Sequence, residues 1–173
     1  MHKAKKSELL KSLNSFDISF RCLNSGKDGG NYDARNPNNK GILNDKVKHR
    51  EEFRPFAPVV PLENAEEWFQ LNGQASPFML YSVLCNRPEE ILSGVHIDAT
   101  ARVQTLTKED NGRLYSLVKA FDKKTGIPII INTSFNDKGE PIVESPKDAI
   151  ACFSKTGIDI LVLENYLIEK KTV

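Results

Sequence analysis

The chain has 173 residues, with 24 Lys and Arg against 23 Asp and Glu and a formal net charge of +1. That length suits one domain able to bury its own core without disulfides or a structural metal. So even a balance excludes a global field that would recruit nucleic acid or an anionic membrane, and any cationic site must be local.

The N-terminus is basic, but no apolar segment follows it and no stretch approaches the length of a membrane span, so a cytoplasmic chain is expected. Leu9, Leu10, Leu13 and Phe16 fit one face of a short helix, and Ile18, Phe20 and Cys22 alternate as in a strand. From Asn24 to Gly41 the chain is rich in Asn, Gly, Asp and Lys, which predicts a long surface loop or connector. Ile42, Leu43 and Val47 then form a helical stripe, and Pro58 to Leu62 reads as a short extended segment. A helix is expected over Ala65 to Leu71. Pro77 to Leu84 is apolar enough to predict a buried strand.

Ala101 to Thr107 alternates Val103, Thr105 and Thr107 against Arg102, Gln104 and Leu106, so two opposite faces are expected. Asn111 to Lys124 carries Leu114, Leu117, Val118 and Phe121 at helical spacing and stops at Gly126, a residue suited to a helix C-cap. Ile127 to Ile131 is apolar and β-branched, as a strand covered on both faces should be, and it empties into Asn132-Thr133-Ser134-Phe135-Asn136. Ser145-Pro146-Lys147-Asp148 opens a helix whose Ile150, Ala151 and Phe153 are expected to face inward. Asp159 to Leu163 is the next strand, and Tyr166 to Glu169 a last edge strand. Strands alternating with helices predict an α/β layered domain.

Three cysteines, Cys22, Cys85 and Cys152, lack C-x-x-C spacing and read as buried thiols in a reducing compartment. His2, His49 and His96 lack metal-site spacing, so no protein-ligated transition metal is expected. The run from Lys48 to Pro58 sets three cations, Lys48, Arg50 and Arg54, among Pro55, Pro58, Phe53 and Phe56. Such a charge trap on stiffened backbone suits a ligand carrying phosphate. The plainer reading is a helix end with a solvated basic face. Lys48 and Arg50, two apart, are expected on one face of an extended segment, with Arg54 reaching from the Phe53-Pro55 platform. Arg102 on a strand would point into a cleft while Val103 packs behind it, or else form a surface pair with Asp98. Asn132, Thr133 and Ser134 offer donors at a strand end, where open α/β sheets commonly bind ligands. Ser134 has no G-x-S-x-G context and is read as a donor, not a nucleophile.

The Lys48 to Pro58 run, Ser76 to Met79, His96 to Gln104, and Asn132 to Asn136 with Gly139-Glu140-Pro141-Ile142-Val143 together resemble the C-terminal domain of carbamoyltransferases of the NodU/CmcH type. The resemblance runs from about Asp33 to Leu167, after a divergent lead and loop over residues 1–32, with the domain assigned to 33–173. It implies a single α/β domain with a YrdC-like twisted mixed sheet flanked by helices. It also implies an activity: binding carbamoyl phosphate and ATP with Mg²⁺, forming carbamoyladenylate, and passing it on for O-carbamoylation. Lys48, Arg54, Arg102 and Ser134 would carry that chemistry, and Arg50, Asn132 and Thr133 would join them in binding the nucleotide and phosphates. His96 and Asp98 precede Arg102 in the matched motif, where a substrate-positioning role and a turn-fixing role are equally open.

The family's full-length members carry a preceding ASKHA-type domain with the transfer site. It has no counterpart in these residues, so transfer is expected to need such a domain in trans. The family's upstream arginine stretch is replaced by Lys27 to Tyr32, with only Asp33 and Arg35 keeping a likeness, and Ala99 stands where the family has glycine. The alternative is a catalytically silent nucleotide- or RNA-binding module, although near-neutral charge argues against RNA. A third possibility is a scaffold that binds a free ASKHA-type protein through the apolar segment around Phe78 and Met79.

Overall fold

The computed structural model describes the backbone of residues 21–23 together with residues 33–163 and 165–170. The expected helix over Leu9 to Phe16, the strand residues Ile18 and Phe20, and the loop from Asn24 to Tyr32 lie outside the described residues. The described fold is a mixed α/β domain whose strands form three small sheets.

The central sheet joins β2 (Ala57–Pro61), β5 (Gln104–Leu106) and β6 (Ile130–Asn132). β2 lies in the middle, parallel to β5 and antiparallel to β6. A second, antiparallel sheet orders β1 (Arg21–Leu23), β7 (Ile160–Leu163) and β8 (Tyr166–Glu169), with β7 central. The third is a short ribbon of β3 (Val83–Leu84) and β4 (Thr100–Ala101).

Both faces of the central sheet are covered, which is why the run over residues 127–131 is apolar, although only its last two residues, with Asn132, form β6. On one face Val59, Leu106 and Ile130 pack under Leu114 and Val118 of α3 (Gly112–Thr125), with Tyr115, Leu117 and Phe121 at the margin. On the other, Val60, Val103, Ile129 and Ile131 join the larger core. That core includes Trp68 of α2 (Leu62–Trp68), Leu43 of α1 (Asn38–Leu43), and Ala149, Ile150, Cys152 and Phe153 of α4 (Pro146–Lys155). Full burial of a Leu-, Ile- or Phe-sized side chain contributes about 1.5–3 kcal/mol, so these layers hold the sheet rigid beneath whatever sits at its ends.

Three expectations need correction. Pro77 to Leu84 is not a buried strand: only Val83–Leu84 is strand, and Phe78 and Leu80 are 75% and 73% exposed. The polar stretch to Gly41 is not all loop, because α1 begins at Asn38, steadied by the buried Asn39 amide, which donates to the Asp33 carbonyl at 2.8 Å. On α4 it is Ala149 and Cys152 that are buried beside Ile150 and Phe153, while Ala151 is exposed.

Candidate functional site

The register of the central sheet brings three distant segments to one of its ends. β2 begins at Ala57, opposite Asn132 where β6 finishes, and β5 begins at Gln104 opposite Val59. The cationic run therefore enters β2, the Arg102-Val103 pair enters β5, and the polar tip leaves β6, all on the same side. A one-residue slip would turn each strand's buried side chains to its opposite face, so the buried layers above and below fix the register that sets these segments side by side.

Lys48 sits at the close of a π-helical turn, Asn44–Lys48, that continues α1, and not on an extended segment as its spacing with Arg50 suggested. The chain leaves that turn through His49 in the left-handed region, at φ 46°. Only 7% of Lys48 is exposed. Its ammonium donates to the Ser134 carbonyl at 3.0 Å and hydroxyl at 3.3 Å, and to the Asn136 carbonyl at 2.8 Å and side-chain Oδ1 at 2.7 Å. The Ser134 hydroxyl in turn donates to Asn136 Oδ1 at 2.6 Å. Burying an ammonium is costly unless oxygens replace its water, and the tip of β6 supplies them.

Arg50 and Arg54 lie beyond. The Arg50 Nε donates to Asn44 Oδ1 at 2.7 Å, and its guanidinium stacks over Phe56 at 4.6 Å. Burial, and then the neighbouring Arg54, push the Arg50 pKa below its ordinary value, against the pull of Glu51. Arg54 is exposed and approaches Glu51 at 3.8 Å, a loose surface pair of small worth. Phe53 is 77% exposed, so the expected Phe53-Pro55 platform beneath Arg54 is not formed by a packed ring.

Arg102 is exposed and donates to the Met79 carbonyl at 3.2 Å, with Val103 buried behind it as the alternation required. Asn132 Nδ2 donates to Gln104 Oε1 at 3.0 Å, and Gln104 Nε2 to the Pro77 carbonyl at 3.2 Å. Thr133 is half-buried between Asn132 and Ser134. Lys48 and Ser134 are thus in direct contact, Arg50 and Arg54 are neighbours, and Arg102 belongs with Gln104 and Asn132. The polar tip from Asn132 to Asn136, which bends at Phe135, links the first group to the last.

Asp98 fixes a turn. Its Oδ1 accepts from the Thr100 hydroxyl at 2.7 Å and amide at 3.0 Å, which in that order hold its pKa below the ordinary carboxylate value. Asn136 and the pair His49 Nδ1–Asp137 Oδ1, 2.8 Å apart, were not singled out by the sequence. The available signal was the polar pair Ser134 and Asn136 two residues apart, whose side chains the bend at Phe135 brings to 2.6 Å. Cys152 lies beneath this corner, its pKa raised by burial first and then by Glu140 and Asp137, so its thiol is inert packing. Among the described residues no group of three His, Cys, Asp or Glu side chains is arranged to hold a metal ion, and no helix is long and apolar enough to cross a membrane.

Comparison with known proteins matches residues 32–170 to the family described as Carbamoyltransferase C-terminus. The nodulation protein NolNO of Sinorhizobium fredii is 44% identical over 144 residues, covering 81% of this chain and 21% of that protein. Nodulation protein U of the same species is 34% identical over 121 residues, covering 69% of this chain and 21% of that protein. A 3'-hydroxymethylcephem-O-carbamoyltransferase of Amycolatopsis lactamdurans is 30% identical over 118 residues, covering 68% and 22%. The chain thus spans about a fifth of the length of these relatives. With its whole central sheet, its polar tip and its cationic run inside the matched region, the chain belongs to the carbamoyltransferase C-terminus family.

Proposed function

We propose that this chain binds carbamoyl phosphate and MgATP and forms carbamoyladenylate for O-carbamoylation by an ASKHA-type domain. In that reaction water cleaves the P–O bond of carbamoyl phosphate, giving carbamate and phosphate. A carbamate oxygen then attacks the α-phosphorus of ATP, the Pα–O–Pβ bond breaks, and pyrophosphate leaves. Several negative charges gather in one place, and cations must offset them.

What supports the reading is the register of the central sheet, which sets the cationic run, Arg102 and the polar tip on one side, with Lys48 bound to Ser134 and Asn136 there. Arg50 is a partly desolvated cation beside Arg54, with the exposed Glu51 to offset the pair, and a phosphate would add the charge that burial and repulsion work against. Lys48 supports the reading as the cation that shapes the tip, while Arg54 and Arg102 are exposed and held by Glu51 at 3.8 Å and the Met79 carbonyl at 3.2 Å, contacts that phosphate oxygens would outcompete. Magnesium enters with the nucleotide.

The test is pyrophosphate release by the isolated chain with both substrates and Mg²⁺. Release at least tenfold above that of Arg102→Ala is expected; release no greater than that variant's would reject catalysis. A second reading, a nucleotide-binding domain without catalysis, draws on Arg35. With Asp33 it keeps the likeness to the family's upstream arginine stretch, and its guanidinium is gripped by that same Asp33 at 2.8 and 2.6 Å. ATP binding with no pyrophosphate release would favour that second reading.

A further inference from the structure

Residues 77–85 run alongside residues 99–104 as one irregular ribbon. Gln104 Nε2 reaches the Pro77 carbonyl, Arg102 Nη2 the Met79 carbonyl, Val83 and Leu84 pair with Ala101 and Thr100, and the Cys85 amide donates to the Ala99 carbonyl at 2.9 Å. Five large apolar side chains of this ribbon and its closing turn are exposed, beside the exposed Arg102 and Asp98. Phe78 and Leu80 are three-quarters exposed, Tyr81 and Leu84 close to half, and Ile97, on the turn facing Cys85, is fully exposed.

From Leu71 to Asn86 the sequence contains no charged residue, although charged residues make up 27% of the chain. Single exposed apolar side chains need no explanation. A contiguous, uncharged run rich in Phe, Met, Leu and Tyr does, because depletion of charge with enrichment of aromatic residues and Met marks the centre of a protein interface. The fold does not use this run as a buried strand, so its composition answers to something outside these residues.

The geometry points to this ribbon as the docking surface for the polypeptide that makes up the remainder of the relatives, of whose length the chain covers between 20% and 26%. The inference rests on the proposed function, in which an activated carbamoyl group passes to a second domain, and it adds the surface at which the two meet. In the relatives the unmatched remainder is part of the same polypeptide, so effective concentration is high and little intrinsic affinity is asked of the contact. Five large side chains suit a tethered partner better than a stable dimer of this chain, which would need roughly 800 Å² on each copy. Arg102 and Gln104 belong to the same ribbon, so a domain seated on Phe78, Leu80 and Ile97 stands at the rim of the site and shields it from water.

The test uses the part of the Sinorhizobium nodulation protein NolNO that this chain does not match, produced as a separate polypeptide and also as a fusion in which this chain replaces the matched segment. Amide hydrogen exchange is read in the chain alone, in the mixture and in the fusion. Exchange at residues 78–84 and 97–100 is expected to slow at least tenfold in the fusion, and the double variant Leu80→Asp, Ile97→Asp to abolish that protection. Unchanged exchange on the ribbon in the fusion, or protection confined to the β7–β8 hairpin around Leu167, overturns the proposal. Protection that appears on concentrating this chain alone assigns the ribbon to a self-interface and overturns it as well. ATP binding, measured by calorimetry on the same samples, separates the two readings. Ribbon protection without ATP binding sinks the proposed nucleotide site and leaves the docking surface standing, and ATP binding without ribbon protection does the reverse.

Discussion

The Lys48 ammonium and the Asn136 side chain, 88 residues apart in sequence, meet at 2.7 Å, and the same ammonium also donates to the Asn136 carbonyl. A π-helical turn and a strand tip are thereby tied at one point. Lys48→Met keeps the aliphatic stem but removes the donor, leaving the oxygens of Ser134 and Asn136 to water or to nothing. The expected loss of stability is about 1–3 kcal/mol, read by urea denaturation. An unchanged midpoint would mean that water already serves these oxygens and that Lys48 does not organise the tip.

Acid should loosen the same corner. The Asp137 pKa is lowered chiefly by its hydrogen bond with His49 and then by the Lys138 amide. A carboxylate depressed in the folded state contributes stability that is present above the unfolded value, about 3.9, and is lost as pH falls through the lower folded value. The Asp98 carboxylate, depressed by the Thr100 hydroxyl and amide, acts in the same direction. Urea midpoints measured from about pH 5 down to about pH 3 should fall, and Asp137→Asn should make the fall shallower. Equal slopes in the two proteins would remove Asp137 from the account.

The elements whose signals are local were legible in the sequence. α3 has Asn111 as a cap accepting from the Leu114 amide and Gly126 at φ 75° as its stop, both readable as residue types in place. α4 likewise carries a full capping box between Ser145 and Asp148. What depended on distant partners was not legible. The start of α1 rests on the Asn39–Asp33 bond, and the exposure of Phe78 and Leu80 depends on what lies against them, which an apolar run cannot state. Family resemblance put Lys48 and Ser134 in one site before any contact was known. It left out Asn136, because the ammonium's choice of partners is set by the π-helical turn and by the left-handed step at His49.

That dependence on backbone conformation yields a prediction at Ala99. Its φ of 61° lies in the left-handed region, where an L residue with a Cβ pays about 1 kcal/mol relative to glycine. The position closes the turn from His96, whose carbonyl accepts the Ala99 amide at 3.1 Å. Ala99→Gly relieves that strain but also frees the unfolded chain, which offsets much of it, so a net gain of about 0.5 kcal/mol or less is expected. Chemical denaturation decides it, and a loss of stability in the Ala99→Gly variant would show that the turn is not strained.

The turn that carries Lys48 has a support behind it. Gly157, between α4 and β7, donates its amide to the Lys46 carbonyl at 2.7 Å. A Cβ at Gly157 would stand 2.8 Å from that same carbonyl oxygen and 2.8 Å from the Lys46 Cβ. Backbone oxygen cannot swing aside as a side-chain tip can, so Gly157→Ala must push the π-helical turn away from the β7 end of the core. Overpacking of this kind costs about 1–3 kcal/mol. Because Lys48 lies two residues beyond the point of contact, its ammonium should shift relative to Ser134 and Asn136. Under the proposed function, ATP affinity should then fall at least tenfold even at temperatures where the variant remains folded, as checked by calorimetry beside a thermal melt. A variant that loses stability while binding ATP normally would show that the tip of β6, and not the turn bearing Lys48, sets the geometry of the site.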